Sequence, residues 1–469
     1  MKRIATVLSR ANEAFKEGGG PVETNVIGAY PPLGIAQLAA ALRDEDRDVR
    51  LIDGTIEALS PAEHAMRVGA DFSGIAGFST STLNWRNTYA VIRALKKIAP
   101  DAVVVVGGPQ LDAYPNEVMS FPEVDFGIVG EGERVLPKLA AALETGKDPS
   151  AIPGVLSRKK GVVRTTRPDP PIENLGSLPL TALDLLPLER YRALTVLSPF
   201  ATLITSRGCP FHCRFCSQQY AGGRYRTRPI PHVLDEIELR LSRFRTREFI
   251  FFDETFTIGE NRVMELCEGI MEMGVRAGFN IRTRADCITI ASARALAAAG
   301  CTSVNIGIEA GTQRILERMN KSITLADVRR TVKICHDAGL TTRGYFMLGY
   351  VGETANEMEQ TIAFACELPL DYASFTITQF NPATPDYEDA LAQGDISDYW
   401  RDYTLMKNVP DTPPRPKHAD YDEDFLQKVL RSAYRKFYLR RGVIARRLAD
   451  RRLRQWALEA LSLNTNRLF

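Results

Sequence analysis

Arg207-Gly208-Cys209-Pro210-Phe211-His212-Cys213-Arg214-Phe215-Cys216 places three thiols in one loop at C-x3-C-x2-C spacing. Iron–sulfur clusters take thiolate ligands, and a four-iron cube normally uses four. Three ligands from one loop leave one iron open to something else. A structural zinc site would need a second Cys or His pair at matching distance, and none follows. His212 lies inside the loop without completing such a pattern. The remaining cysteines, Cys267, Cys287, Cys301, Cys335 and Cys366, are scattered through apolar surroundings and read as buried free thiols.

Downstream of this loop, strand and helix alternate from Leu203 to about Thr378. Apolar strands read at residues 249–252, 304–308, 342–348 and 374–378. The pattern predicts a partial barrel of six βα units, in which ligands sit at the C-terminal ends of the strands. The cysteine loop follows the first of them. Upstream, residues 1–145 alternate in the same way. Strands read at 4–8, 49–53, 72–78, 102–106 and 126–129, with helices from Pro31-Pro32-Leu33-Gly34 to Ala41-Leu42, at 88–98 and at 135–143. Ser60-Pro61-Ala62-Glu63 reads as a helix N-cap with proline at the first helical position and an acid in the first turn. Strands this apolar between helices predict an α/β fold with a doubly wound parallel sheet.

Prolines 153, 168, 170, 171, 179 and 187 make residues 146–198 a connector, with a small hairpin around Gly161-Val162-Val163-Arg164. The expected organisation is therefore a sheet domain at 1–145, the connector, the barrel at 199–390 and a helical, basic region at 391–469. Between Lys428 and Arg454 many Lys and Arg stand against one acid, Asp450. That stretch reads as a solvated helical tail packing its Leu, Tyr and Phe, rather than a nucleic-acid or membrane patch.

A chain of 469 residues can hold two or three cores, and 45% hydrophobic with 25% charged residues is ordinary for a soluble globular protein. A net charge of +2 points to no particular partner, and no nucleic-acid partner is expected. No apolar run approaches ~18 residues, so no membrane insertion is expected. The first residues read better as a strand than as a signal peptide. Scattered free thiols and an oxygen-sensitive cluster both suit a reducing cytoplasm.

The cysteine loop resembles the radical S-adenosylmethionine superfamily, whose signature is C-x3-C-x-aromatic-C, with Phe215 in the aromatic slot. The resemblance implies a [4Fe-4S] cluster ligated by Cys209, Cys213 and Cys216. The amino and carboxylate groups of S-adenosylmethionine would chelate the open iron, and its cleavage would yield a 5′-deoxyadenosyl radical. Further matches follow. Asp253 and Glu254, after the second barrel strand, stand where the family receives the methionine ammonium. Arg284 is a candidate for the methionine carboxylate. Gly307-Ile308-Glu309-Ala310-Gly311 resembles the family's G-I-E-S-G, which implies Glu309 on the ribose and a close backbone approach at Gly311. Gly344 to Glu353 resembles G-x-x-x-x-G-x-P-G-E, with Val351 for proline and Gly349 near the adenine. Asn381-Pro382-Ala383-Thr384-Pro385 stands where P-G-T-P-L-Y is usual.

The N-terminal region resembles the cobalamin-binding domain fused to many of these enzymes. Pro31-Pro32-Leu33-Gly34, Gly107-Gly108-Pro109 and Gly130-Glu131-Gly132-Glu133 carry that likeness. It implies that Ser79, Thr80, Ser81, Gly107, Gly108, Gly130 and Glu131 line the cofactor's nucleotide tail. The D-x-H-x-x-G motif of cobalamin mutases is absent. His64 is expected on a helix away from strand ends, so no histidine is expected below cobalt. Cysteine counting sets aside methylthiotransferases, which need three more before Cys209, and enzymes with auxiliary clusters, which need some after Cys366.

The resemblance implies a cobalamin-dependent methyltransferase acting on an unactivated carbon, or phosphorus, of a small biosynthetic substrate. A reductant protein such as flavodoxin or ferredoxin would supply electrons. Alternatives are a radical cyclase, oxidase or rearrangement enzyme on the same scaffold, with or without cobalamin, and an iron- or corrinoid-sensing binding protein.

Overall fold

The computed structural model describes residues 5–11, 29–159, 161–193, 196–197, 199–217, 224–274 and 277–440. The chain divides into two compact units, residues 1–254 with 380–414, and residues 255–379 with 415–469.

The first unit opens with β1 (Thr6–Arg10), α1 (Leu33–Asp44), β2 (Val49–Asp53), α2 (Pro61–Val68), β3 (Ile75–Ser79), α3 (Trp85–Ile98) and β4 (Val103–Gly107). Two short helices follow, α4 (Pro109–Ala113) and α5 (Pro115–Met119), then β5 (Phe126–Ile128), α6 (Val135–Thr145), β6 (Val155–Lys159) and β7 (Val162–Thr165). The seven strands make one sheet in the order β2-β1-β3-β4-β5-β6-β7. The first five are parallel, and β6 and β7 join antiparallel. One face is covered by α1 and α6 through Leu42, Leu136 and Leu139, the other by α2 and α3 through Val68, Ile92 and Leu95. Apolar side chains on both faces of β4 are the reason its sequence reads as continuous valine.

The helix start read at Ser60 is a complete capping box. Ser60 Oγ accepts from the Glu63 amide and the Glu63 carboxylate accepts from the Ser60 amide. The hairpin expected in the connector extends the first sheet, because Val155, Leu156 and Ser157 pair with β5.

β8 (Phe200–Leu203), β9 (Ser206–Arg207), β10 (Arg226–Thr227), α7 (Ile230–Phe244) and β11 (Glu248–Phe251) complete the first stretch of this unit. β8 and β11 are parallel partners, and β9 and β10 form a short antiparallel pair.

The second unit runs α8 (Glu260–Glu272), β12 (Gly278–Arg284), α9 (Ile290–Ala298), β13 (Cys301–Glu309), α10 (Gln313–Arg318), α11 (Leu325–Asp337), β14 (Thr341–Leu348), α12 (Ala355–Glu367) and β15 (Tyr372–Ile377). Strands β12 to β15 are parallel neighbours in sequence order. The chain then adds α13 (Pro385–Ala392) and α14 (Tyr399–Thr404) to the first unit, and α15 (Glu423–Tyr438) to the second. α14 is tied to α3 and the turn before it: the Trp85 indole donates to Thr404 O at 2.9 Å, and the Tyr403 hydroxyl to Leu83 O at 3.1 Å.

α15 covers β15. The Tyr434 hydroxyl bonds both N–H and C=O of Phe375, and Tyr438 does the same at Ala373. Satisfied backbone groups blunt a strand that would otherwise recruit another chain. Two basic residues there are engaged, Lys436 with Glu359 and Arg440 with the carbonyls of Cys366 and Leu368. The rest of the basic tail, from Arg441 on, and Ile4 of the first strand lie outside the described residues. Among the described residues no helix is long and apolar enough to cross a membrane. Cys267, Cys301 and Cys335 are buried as expected, whereas Cys287 and Cys366 are half-buried, each sitting near an element end.

Candidate active site

The cysteine loop leaves β9 through Gly208, whose φ of +87° is a left-handed conformation that suits glycine. Cys213 is buried, Cys209 half-buried and Cys216 exposed, and the Cys216 amide donates to Cys213 O at 3.2 Å. Among the described residues no three Cys, His, Asp or Glu side chains converge as ligands of a single metal ion. Thiolates that each bind a different iron of a cube need not converge on one point, so the donor set fits a cluster rather than a lone ion.

The loop is fixed at both ends. At its start, Asp253 is fully buried and accepts from the Thr205 amide at 3.1 and 3.2 Å, the Thr205 hydroxyl at 2.7 Å and the Ser206 hydroxyl. Asp253 thus spends its carboxylate on the turn leading into β9, a different use from the methionine ammonium expected of it. At the far end, Arg214 pairs with Asp386 at 3.0 Å and with Asp389, and the Asp386 amide donates to Arg214 O. The Asn381 to Asp386 motif is the start of α13, with Thr384 as its N-cap and Pro385 at the first helical position. Phe215 is half-buried in the loop.

A cavity of about 600 Å³ lies at the C-terminal ends of β1, β3, β4 and β5, where open α/β sheets bind ligands. Its walls include Gly34, Ser79, Gly107, Gly108, Gly130, Glu131, Arg207 and Glu254. At Gly108, φ is +89° and an added Cβ would come within 3.0 Å of Ser79 Oγ and 3.1 Å of Thr80 O. At Gly34 and Gly130 a Cβ would meet nothing within 4 Å. The cavity wall is therefore backbone-thin where a threaded ligand would pass, which fits a nucleotide tail.

Thr80 and Ser81 do not line this cavity, a correction to the sequence reading. The Thr80 hydroxyl accepts from Thr88 on α3 at 3.0 Å, and Ser81 is exposed beyond the strand end. His64 is a second correction. It lies against the C-terminal end of β1, its Nε2 3.1 Å from Ser9 Oγ, and burial pulls it down to about 4 against the pull of Asp53. Among the described residues no histidine lines the cavity. Gln110 is buried and donates to Thr404 Oγ1 at 2.8 Å.

Glu131 lines the cavity but is held by cations. Arg207 reaches it at 3.0 Å, Arg226 at 2.9 and 3.0 Å, and the Ile172 amide at 2.6 Å. Burial alone would raise its carboxyl; the Arg226 and Ile172 hydrogen bonds and Arg207 outweigh it and hold it low. Glu133 takes the other arm of Arg207 at 2.6 Å. Among the described residues no hydrogen bond or ion pair from another side chain reaches the Glu254 carboxyl. Burial, then the charge of Asp253, push it up despite Arg207 and Arg226 nearby.

Sequence reasoning missed Asp112, Arg207 and Arg226. Asp112 lines the cavity, accepts from the Gly130 amide at 2.8 Å and is pushed by burial up to about 6. Its signal was an acid in the short helix directly after Gly107-Gly108. Arg207 stood in the quoted loop itself.

In the second unit, Glu309 ends β13 at a register shift against β14, with φ +71°. A bulge of this kind re-aims a side chain, and left-handed backbone at a non-glycine residue is strain that marks functional sites. Lys321 Nζ donates to Glu309 Oε1 at 2.9 Å. A Cβ on Gly307 would lie 2.7 Å from that oxygen, so glycine there makes room for the pair. Arg284 has its fork on Asp286, at 3.0 and 3.1 Å, and on Lys321 O. Its Nε and Nη2 are taken by the protein, which corrects the reading of it as a carboxylate clamp. Gly311 is a further correction: the space for its Cβ is filled by α12, with Thr361 Cα at 2.6 Å. Gly349 likewise serves packing, since its φ is +71° and its Cβ would meet Leu426 at 2.8 Å, while its carbonyl bonds His418 Nε2 at 3.1 Å.

Comparison with known proteins agrees with this architecture. The Radical SAM superfamily model matches residues 203–365 and the B12 binding domain model residues 21–140. An uncharacterized methyltransferase of Pyrococcus horikoshii, PH0819, is 35% identical over 94% of this chain and 94% of its own. The anaerobic magnesium-protoporphyrin IX monomethyl ester cyclase of Rubrivivax gelatinosus is 28% identical over 92% of this chain and 77% of its own. Among solved structures, the radical S-adenosylmethionine methyltransferase TsrM of Kitasatospora setae superposes with a TM-score of 0.68. It covers 84% of this chain and 75% of its own at 20% identity, a likeness of fold. With the family models on the sheet and on the cysteine-loop region, and a full-length relative at 35% identity, the chain belongs to the radical S-adenosylmethionine enzymes that carry a B12-binding domain.

Proposed function

We propose that this enzyme transfers a methyl group to an unactivated carbon, or to phosphorus, of a small biosynthetic substrate. One observation carries the reading: the cavity at the strand ends of the first sheet shares Arg207 and Gly208 with the entry to the cysteine loop. A corrinoid in that cavity and a cluster on that loop would be neighbours, as transfer from one to a radical made by the other requires.

Cys209, Cys213 and Cys216 would hold the cluster, and Ser79, Gly107, Gly108 and Gly130 the corrinoid tail. When bound, the cluster supplies the electron that cleaves S-adenosylmethionine and the corrinoid supplies a methyl carrier. Asp253, Arg207 and Arg214 hold the loop in shape. Glu254, a cavity carboxyl that no ion pair reaches among the described residues, is the better acceptor for the methionine ammonium than Asp253. Glu309, whose Oε1 is taken by Lys321, would accept from ribose hydroxyls through Oε2. A small reductant protein would deliver the electron. The cyclase relative keeps a radical cyclase as second reading, because it spans nearly this whole chain.

Anaerobic reconstitution tests the cofactor set. About four irons per chain are expected, all lost when Cys209, Cys213 and Cys216 are replaced by alanine. Cob(II)alamin retained by the protein should show no nitrogen superhyperfine coupling that responds to 15N-labelled histidine in its electron paramagnetic resonance. A full cluster in the triple variant would contradict the cluster assignment, and such a histidine coupling would contradict the absence of a protein nitrogen on cobalt.

A further inference from the structure

We infer that Arg207 is a positioning residue that couples occupancy of the cavity to the conformation of the cysteine loop. The inference rests on the reading of the cavity as a corrinoid site and of the loop as a cluster site. Arg207 lies two residues before Cys209 and is the last residue of β9. Its guanidinium bridges Glu131 and Glu133, both on the loop that follows β5. Its backbone pairs with Arg226 of β10, and Arg226 clasps the same Glu131. Glu133 and Arg226 are buried, so these charges are poorly screened by solvent and are costly to separate.

Arg207, Gly208, Arg226, Glu131 and Glu133 are all cavity walls. A ligand that fills the cavity must press on this network. Because Glu131 and Glu133 sit between Gly130 and the start of α6, any shift of that loop is passed to Arg207, and through Gly208 to Cys209. Cross-linking by a planar fork transmits position as well as charge, which a lysine could not do equally. Coupling of this kind is reciprocal, so a formed cluster must tighten corrinoid binding by the factor that corrinoid favours the cluster.

The test measures hydroxocobalamin affinity of the full chain with and without reconstituted cluster, in wild type, Arg207→Met, Arg207→Lys and Glu131→Gln/Glu133→Gln. Wild type is expected to bind at least fivefold more tightly when the cluster is present. In Arg207→Met and the double glutamine variant the ratio should fall to near one, with Arg207→Lys between. A residue that only stabilised the fold would weaken both affinities and leave their ratio unchanged, and that result would overturn the inference. Circular dichroism and iron content of every variant guard against misfolding, and Arg207→Lys keeps the test open if the methionine variant does not fold. A wild-type ratio of one, with both cofactors bound, overturns the coupling alone. Failure of wild type to bind any corrinoid overturns the reading of the cavity, and the coupling with it.

Discussion

Replacing Asp253 should damage the cluster site without touching a cluster ligand. The carboxylate is completely buried and accepts from one backbone amide and two hydroxyls on Thr205 and Ser206. Hydrogen bonds to a charged acceptor contribute about 1.5–3 kcal/mol each, and stranded buried donors cost about 1–3 kcal/mol. Asp253→Ala leaves three such donors and a small void, for a cost on the order of 4 kcal/mol. Asp253→Asn keeps the volume but turns a donor toward donors, at about 2–3 kcal/mol. The disturbed turn is the one that launches β9 and the cysteine loop. Iron per chain after anaerobic reconstitution should therefore fall below half in both variants, with lowered unfolding midpoints. Glu254→Gln is the control: among the described residues no ion pair reaches its carboxyl, so iron content should persist while S-adenosylmethionine binding weakens. Full iron in Asp253→Asn together with loss in Glu254→Gln would refute the reasoning.

Glu309→Ala should weaken S-adenosylmethionine binding tenfold or more, as loss of a charge-assisted acceptor predicts, with iron unchanged; equilibrium binding checks it, and unchanged affinity would make Glu309 structural. His64 is shifted from 6.5 to about 4. A lowered histidine stabilises fully above its unfolded value and loses that contribution as pH falls, so wild type should lose about 2 kcal/mol more than His64→Gln between pH 7 and 4.5 in urea unfolding of the apo chain. Parallel losses would contradict this. Asp112 is shifted the other way, from 3.8 to about 6. Its charged form costs stability as pH rises through that window, so Asp112→Asn should stabilise the apo chain by about 2 kcal/mol at pH 7.5 and by little at pH 4. A destabilised Asp112→Asn at pH 7.5 would show that the charge is needed.

Periodicity alone placed most of the fold. The valine run of β4, the capping box at Ser60 and the alternation after Leu203 depend on local preferences that a sequence displays directly. The hairpin at 155–165 was visible as a hairpin, but its pairing with β5 is a long-range choice with no local signal. For the site, residue type was legible and side-chain direction was not. Glu131 and Asp253 stand where ligand contacts were expected, yet arginines from distant segments and the hydroxyls of Thr205 and Ser206 take their carboxylates. Gly311 reads as a ligand-facing glycine until the backbone of α12 is seen filling its Cβ space. The bulge that re-aims Glu309 is a register shift between two strands, which one strand's sequence cannot display.

The product profile of the anaerobic enzyme tests the central claim most directly. The protein, loaded with cluster and hydroxocobalamin, would be incubated with S-adenosylmethionine, a low-potential reductant and extracts containing its substrate. The account predicts both 5′-deoxyadenosine and S-adenosylhomocysteine, since one molecule is cleaved for the radical and a second gives up its methyl group. Formation of 5′-deoxyadenosine and methionine with no S-adenosylhomocysteine would contradict methyl transfer and favour the cyclase reading.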